Sequence, residues 1–132
     1  MSKMEVTTMA ALTHLPDAEL EVMQALWALD HYPAHTADIA EKLSRDWKAP
    51  TLIKLLSRLE ERGFVEGRKE GRANVYTPKV LREDYLAAES RSFLNRLHGG
   101  SLSSLVAALA PETKLTSEDV KALQALLKKG ED

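Results

Sequence analysis

Between residues 16 and 77 the spacing of apolar side chains changes once, from the three-to-four-residue interval of amphipathic helices to the short apolar runs of strands, and this order constrains the fold more than any other feature. Leu20, Met23, Leu26 and Trp27, widened by Ala18, Val22 and Leu29, predict a helix over 16–29. Pro16 suits its first turn, where a missing N–H loses no partner, and Asp17 and Glu19 sit where the helix dipole favours negative charge. Thr36 is the expected N-cap of a short second helix over 37–44 that buries Ile39, Ala40 and Leu43. A third helix over 50–62 carries Leu52, Leu55, Leu56 and Leu59, begins at Pro50 and stops at Gly63. Residues 64–69 and 73–77 then predict a hairpin with Glu70, Gly71 and Arg72 at its tip, closed by Pro78.

After Pro78 the pattern is helical again. Tyr85, Leu86, Phe93, Leu94 and Leu97 mark a helix over 82–97, and Gly99-Gly100 breaks it before a second over 101–109. The last, over 116–129, opens on Thr116 and Asp119 in capping-box spacing and gathers Val120, Leu123, Leu126 and Leu127 on one face. The expected fold class is mainly α (α+β): a winged helix-turn-helix DNA-binding domain over 1–79 followed by a helical dimerisation region over 80–132. Three helices in about 50 residues bury their apolar faces poorly alone, so a second copy is the economical partner. The expected dimer contacts are Phe93, Leu94, Leu97, Leu105, Leu109, Val120, Leu123, Leu126 and Leu127.

Charge is divided unevenly along the chain. The net charge is -2, but residues 1–41 hold one lysine, Lys3, against seven acids. In residues 42–79 ten bases face five acids, which makes this middle segment the electrostatic candidate for a polyanion. At about 100° per residue the third helix turns its leucines to one side and Pro50, Ile53, Lys54 and Ser57 to the other, with Thr51 and Arg58 on the flanks. A helix that enters the major groove needs this division. Lys54 suits guanine O6/N7 or phosphate, Thr51 and Ser57 suit base or phosphate, and Ile53 or Pro50 suits a thymine methyl. Arg68, Lys69 and Arg72 at the hairpin tip suit backbone phosphates or the adjoining minor groove. The candidate DNA-binding set is therefore Pro50, Thr51, Lys54, Ser57, Arg58, Arg68, Lys69 and Arg72, and the bland alternative is a solvated charged face.

Other chemistry finds little support. The chain has no cysteine, which excludes disulfides, thiolate metal sites and cysteine nucleophiles. His14, His31, His35 and His98 lack metal-ligand spacing, because Pro33 interrupts the one near pair. Gly63, Gly67 and Gly71 punctuate a hairpin and match no phosphate loop, and no nucleophile elbow accompanies the serines. The expectation is no enzyme, no cofactor and no metal. Trp27 and Trp47 read as packing residues. Without an apolar run of membrane-spanning length or a signal-type N-terminus, a cytoplasmic location with no membrane partner is expected.

These residues also resemble a known family. Ala18-Glu19-Leu20-Glu21-Val22-Met23 with Trp27, Thr51-Leu52 through Leu55-Leu56-Ser57-Arg58-Leu59, and Gly71-Arg72-Ala73-Asn74-Val75-Tyr76 resemble penicillinase-repressor regulators of the BlaI/MecI kind. Ser92-Phe93-Leu94-Asn95-Arg96-Leu97, Gly99-Gly100 and Ser104-Leu105-Val106 look like that family's linker and dimerisation helices. The resemblance implies a homodimeric transcriptional repressor on a palindromic operator of double-stranded DNA, released by an inducing signal such as a sensor protease. It places Thr51, Lys54 and Arg72 at the DNA. Two departures concern induction. Where β-lactam-responsive relatives are cut at an Asn-Phe bond, this chain has Ala108-Leu109, which argues against the same cut. The copper-responsive branch uses a cysteine cluster that this chain lacks. The reading from another class is a winged-helix module that binds a protein and not DNA.

Overall fold

The computed structural model describes residues 12–112 and 114–130. Six helices and a small antiparallel sheet follow in the order α1 (Asp17–Trp27), β1 (Ala34–His35), α2 (Thr36–Lys42), α3 (Ala49–Glu61), β2 (Val65–Glu70), β3 (Ala73–Pro78), α4 (Arg82–His98), α5 (Leu102–Leu109) and α6 (Ser117–Gly130). The chain forms two compact units, one running to Glu89 and one from Ser90 onward, so α4 begins in the first and ends in the second.

In the first unit α1, α2 and α3 pack around Leu15, Met23, Leu26, Ile39, Leu56, Leu59 and Phe64, all fully buried. The leucine stripe of α3 packs inward as its spacing requires, Leu52, Leu56 and Leu59 buried and Leu55 half-buried. Its end is a Schellman motif. Gly63 takes a φ of +83°, the Gly63 N–H donates to the Glu60 carbonyl at 3.0 Å and the Phe64 N–H to the Leu59 carbonyl at 2.9 Å. The chain thereby reverses directly into β2, with Phe64 already in the core.

The sheet has three strands and not the two expected: β1 pairs with β3 through Ala34–Tyr76 and His35–Val75, giving the order β1-β3-β2. Two residues are too few for any periodicity to announce. The same segment corrects the cap of α2, which is His35 and not Thr36; the Asp38 carboxylate accepts the His35 backbone N–H at 3.1 Å. Ala40, expected in the core, is exposed, and Ile39 is the residue that α2 buries. Pro78 closes β3 from within, as the partner of Val65.

Two ion pairs and a tyrosine tie the unit together. Glu19, 1% exposed, accepts from Arg62 at 2.6 Å and joins α1 to the end of α3. Arg45 donates to Glu21 at 3.0 Å and lies over the Trp47 ring. Trp27 packs partly buried against the core and its indole N–H donates to the Val80 carbonyl at 2.9 Å. Tyr85, on the first turn of α4, sits in the core against Phe64 and Trp27, and its hydroxyl accepts the Leu15 N–H at 2.9 Å. Burial pushes the Tyr85 phenol above its ordinary pKa, so it keeps its proton and can donate towards Glu89.

Among the described residues of the second unit every regular element is a helix. Gly99 and Gly100, both with positive φ, separate α4 from α5. Ser101 caps α5 by accepting from the Ser104 N–H. The expected capping box of α6 is present in both directions, Asp119 N–H to Thr116 Oγ1 at 3.0 Å and Thr116 N–H to Asp119 Oδ2 at 3.1 Å. Among the described residues from Ser90 onward none is buried.

Candidate nucleic-acid interface

The face of α3 opposite its leucines carries the residues expected there. Pro50, Thr51, Lys54, Ser57 and Arg58 are all exposed, and Ile53 is 40% exposed, a large apolar side chain turned outward. Pro50 lies in the first turn, and that turn holds no acidic residue although those of α1, α2 and α6 each do. The positive end of the α3 dipole is therefore left uncompensated beside Lys48 and Lys54, an arrangement that favours an anion.

The hairpin supplies the second half of the surface. Glu70 pairs with Ala73, which leaves Gly71-Arg72 as a two-residue loop. Gly71 has a φ of +65° and no non-glycine residue among those described has a positive one, the pattern of a II′ turn. Arg68, Lys69 and Arg72 are exposed on this wing. Among the described residues no ion pair engages Lys54, Arg58, Arg68, Lys69 or Arg72, whereas Arg45 and Arg62 are committed to Glu21 and Glu19. Within the basic middle segment, Arg45 and Arg62 are thus tied to acids of α1, while Lys54, Arg58, Arg68, Lys69 and Arg72 on α3 and the wing have no ion pair among the described residues.

Between helix and wing runs a cleft lined by Ile53, Ser57 and Glu60 on one side and by Gly67, Arg68, Lys69, Asn74 and Tyr76 on the other. Ile53 and Ser57 thus form one wall of the cleft, beside the open face that bears Lys54. Sequence reasoning missed Glu60 and Asn74. The spacing 53, 57, 60 places Glu60 on this wall, but an acid at the far end of the helix does not suit a surface read for phosphate contact. No three histidine, aspartate or glutamate side chains among the described residues come together as a metal site, and no helix is long and apolar enough to cross a membrane.

The second unit offers a different kind of surface. Phe93, Leu97, Leu109, Val120, Leu123, Leu126 and Leu127 are exposed, with Leu94 and Leu105 half-buried. Ala108 and Leu109 occupy the last turn of α5, both exposed.

The family model described as Penicillinase repressor matches residues 15–129. A penicillinase repressor of Bacillus licheniformis is 36% identical over 121 residues, covering 90% of this chain and 93% of that protein. The methicillin resistance regulatory protein MecI of Mammaliicoccus sciuri is 27% identical over 115 residues, covering 87% and 94%. Among solved structures, the monomeric form of Bacillus licheniformis BlaI in complex with the blaP half-operator is similar at 34% identity, with a TM-score of 0.45, over 56% of this chain and 90% of that one.

Proposed function

Since the chain belongs to the penicillinase repressor family, we infer that it is a DNA-binding transcriptional repressor, not an enzyme, that acts as a homodimer on a palindromic operator. The observation that carries this reading is the joint exposure of unpaired cations on α3 and on the wing, with the acid-free N-terminal turn of α3 between core and solvent. Residues 1–79 form the DNA-binding part. Pro50, Thr51, Lys54, Ser57 and Arg58 enter or flank the major groove, and Arg68, Lys69 and Arg72 hold phosphates. Helix contacts choose the sequence, and wing contacts add affinity that falls as salt rises.

Residues 80–132 form the dimerisation part. The exposed Phe93, Leu97, Leu109, Val120, Leu123, Leu126 and Leu127, with Leu94 and Leu105, are covered by the same residues of a second copy. Two-fold symmetry then sets two recognition helices on half-sites one helical turn or a multiple apart. Repression ends when an inducing signal separates the copies. A sensor protease that cuts these helices at a bond other than Ala108-Leu109 would do so, and any other inducer that loosens the tails would have the same effect on avidity.

Fluorescence anisotropy tests the reading with the duplex upstream of the protein's own gene and a scrambled duplex, each at two salt concentrations. Preference for the upstream duplex that weakens with salt is the expected result. A folded protein that binds neither duplex at low salt overturns it.

A further inference from the structure

The strand order leaves β2 at the edge of the sheet. Gly67 lies opposite Tyr76 in the β2–β3 ladder, yet its N–H donates to Glu60 Oε2 on α3 at 3.3 Å. An edge N–H of this kind has no strand to claim it and is ordinarily left to water. Here a carboxylate from the last turn of α3 takes it and so spans the cleft between helix and wing.

Three observations suggest that this contact is the reason for both residues. Gly67 is not among the glycines with positive φ, so its backbone does not require glycine. What requires it is space, because a Cβ there would stand 3.0 Å from the Tyr76 ring and 3.1 Å from Glu60 Oε1. Glu60 is otherwise badly placed. A carboxylate near a helix C-terminus opposes the dipole, and this one lines the same cleft as Arg68 and Lys69, on a face that should attract a polyanion.

We propose that Glu60 is a positioning residue for DNA binding: by holding the Gly67 N–H it fixes the wing's distance from α3, so that Arg68, Lys69 and Arg72 meet the backbone while α3 occupies the major groove. This rests on the DNA-binding reading given above. The two-residue turn makes the wing short and stiff, so a shift at Gly67 is carried to Arg72 at the tip.

The test compares the full-length wild type with E60A, E60Q and G67A. Two readouts are needed: anisotropy with the upstream duplex at two salt concentrations, and hydrogen exchange of the residue-67 amide by NMR without DNA. E60A should lose protection of that amide and bind DNA about three- to tenfold more weakly, the span of one net hydrogen bond. Its salt dependence should become shallower as wing phosphate contacts drop out. E60Q keeps an acceptor and should restore both readouts. In an R72A background the E60A effect should largely vanish. Tighter binding by both E60A and E60Q would show that Glu60 only repels phosphate, and an undiminished E60A loss in the R72A background would place its action elsewhere; either overturns the proposal. Should E60A fail to fold, G67A decides: its Cβ would stand 3.0 Å from the Tyr76 ring and 3.1 Å from Glu60 Oε1, so the carboxylate is pushed off the residue-67 N–H, and unchanged DNA binding in a variant whose residue-67 amide has lost protection overturns the proposal. A folded wild type that binds neither duplex overturns the DNA reading instead, while amide exchange in E60A and E60Q still decides whether the helix-to-wing contact exists.

Discussion

Phe64, Leu56 and Met23 in the first unit are completely covered, whereas Leu97, Leu126 and Leu127 in the second are each more than half exposed although they are the same kind of side chain. The first unit closes a core around three helices and a sheet, with its polar exception, Glu19, paired. The second has comparable apolar content, and none of its described residues is buried. On the reading proposed above, the two units would meet the same hydrophobic requirement by different routes, one within the chain and one by association with a second copy. Substitutions of similar size should therefore give different kinds of loss.

The largest effect should follow Phe64→Ala. This ring is fully buried and stands edge-on to Tyr85 at 5.6 Å, so its removal should cost the first unit about 3–5 kcal/mol. Thermal or urea unfolding measures this. A loss near that of an exposed residue would break the comparison at its stronger side. Leu126→Glu should leave that transition in place and abolish the dimer, which sedimentation velocity reads directly. Operator affinity should then fall by roughly 100-fold or more as two linked half-site contacts become one. A dimer of unchanged stability would move the interface away from α6.

Smaller, and confined to the first unit, is the effect of Arg62→Ala. Glu19 would be left buried without its guanidinium, a change that costs about 3–5 kcal/mol for a fully buried pair. Arg62 is itself 36% exposed, so water can enter and about 2 kcal/mol is expected. Glu19→Gln in the Arg62→Ala background should recover part of that loss, because a neutral amide tolerates burial better than an unpaired carboxylate. Absence of any recovery would show that the pair contributes by packing alone.

How much of this was legible depends on which interactions repeat along the chain. The leucines of α3 and the Thr116–Asp119 box recur at fixed spacing, so helix positions and the inward face of α3 were read within a residue or two. β1 was not, since Ala34 and His35 become a strand only because β3 lies beside them. Glu19 read as a surface acid serving the dipole, and only the return of the chain at Arg62, 43 residues later, gives it a reason to be buried. Glu60 failed for the same cause: its partner is a backbone N–H on another element, and backbone groups leave no mark in a sequence. The exposure of Pro50, Thr51, Lys54, Ser57 and Arg58 is legible because it follows from helical phase, which sequence does carry.

The smallest predicted effect separates the backbone of the wing from its charge. Gly71 has a φ of +65° and no atom outside its own neighbourhood within 4 Å of where a Cβ would stand. Gly71→Ala therefore meets no clash and bears only the conformational cost of a left-handed residue, about 1 kcal/mol. Stability should drop by that amount in unfolding experiments while dimerisation is untouched, since nothing in the second unit is altered. DNA binding should weaken only slightly if the turn survives, because Arg72 keeps its place and charge. A loss of affinity as large as that of Arg72→Ala would mean that the tip geometry, and not the guanidinium alone, is what the DNA backbone meets.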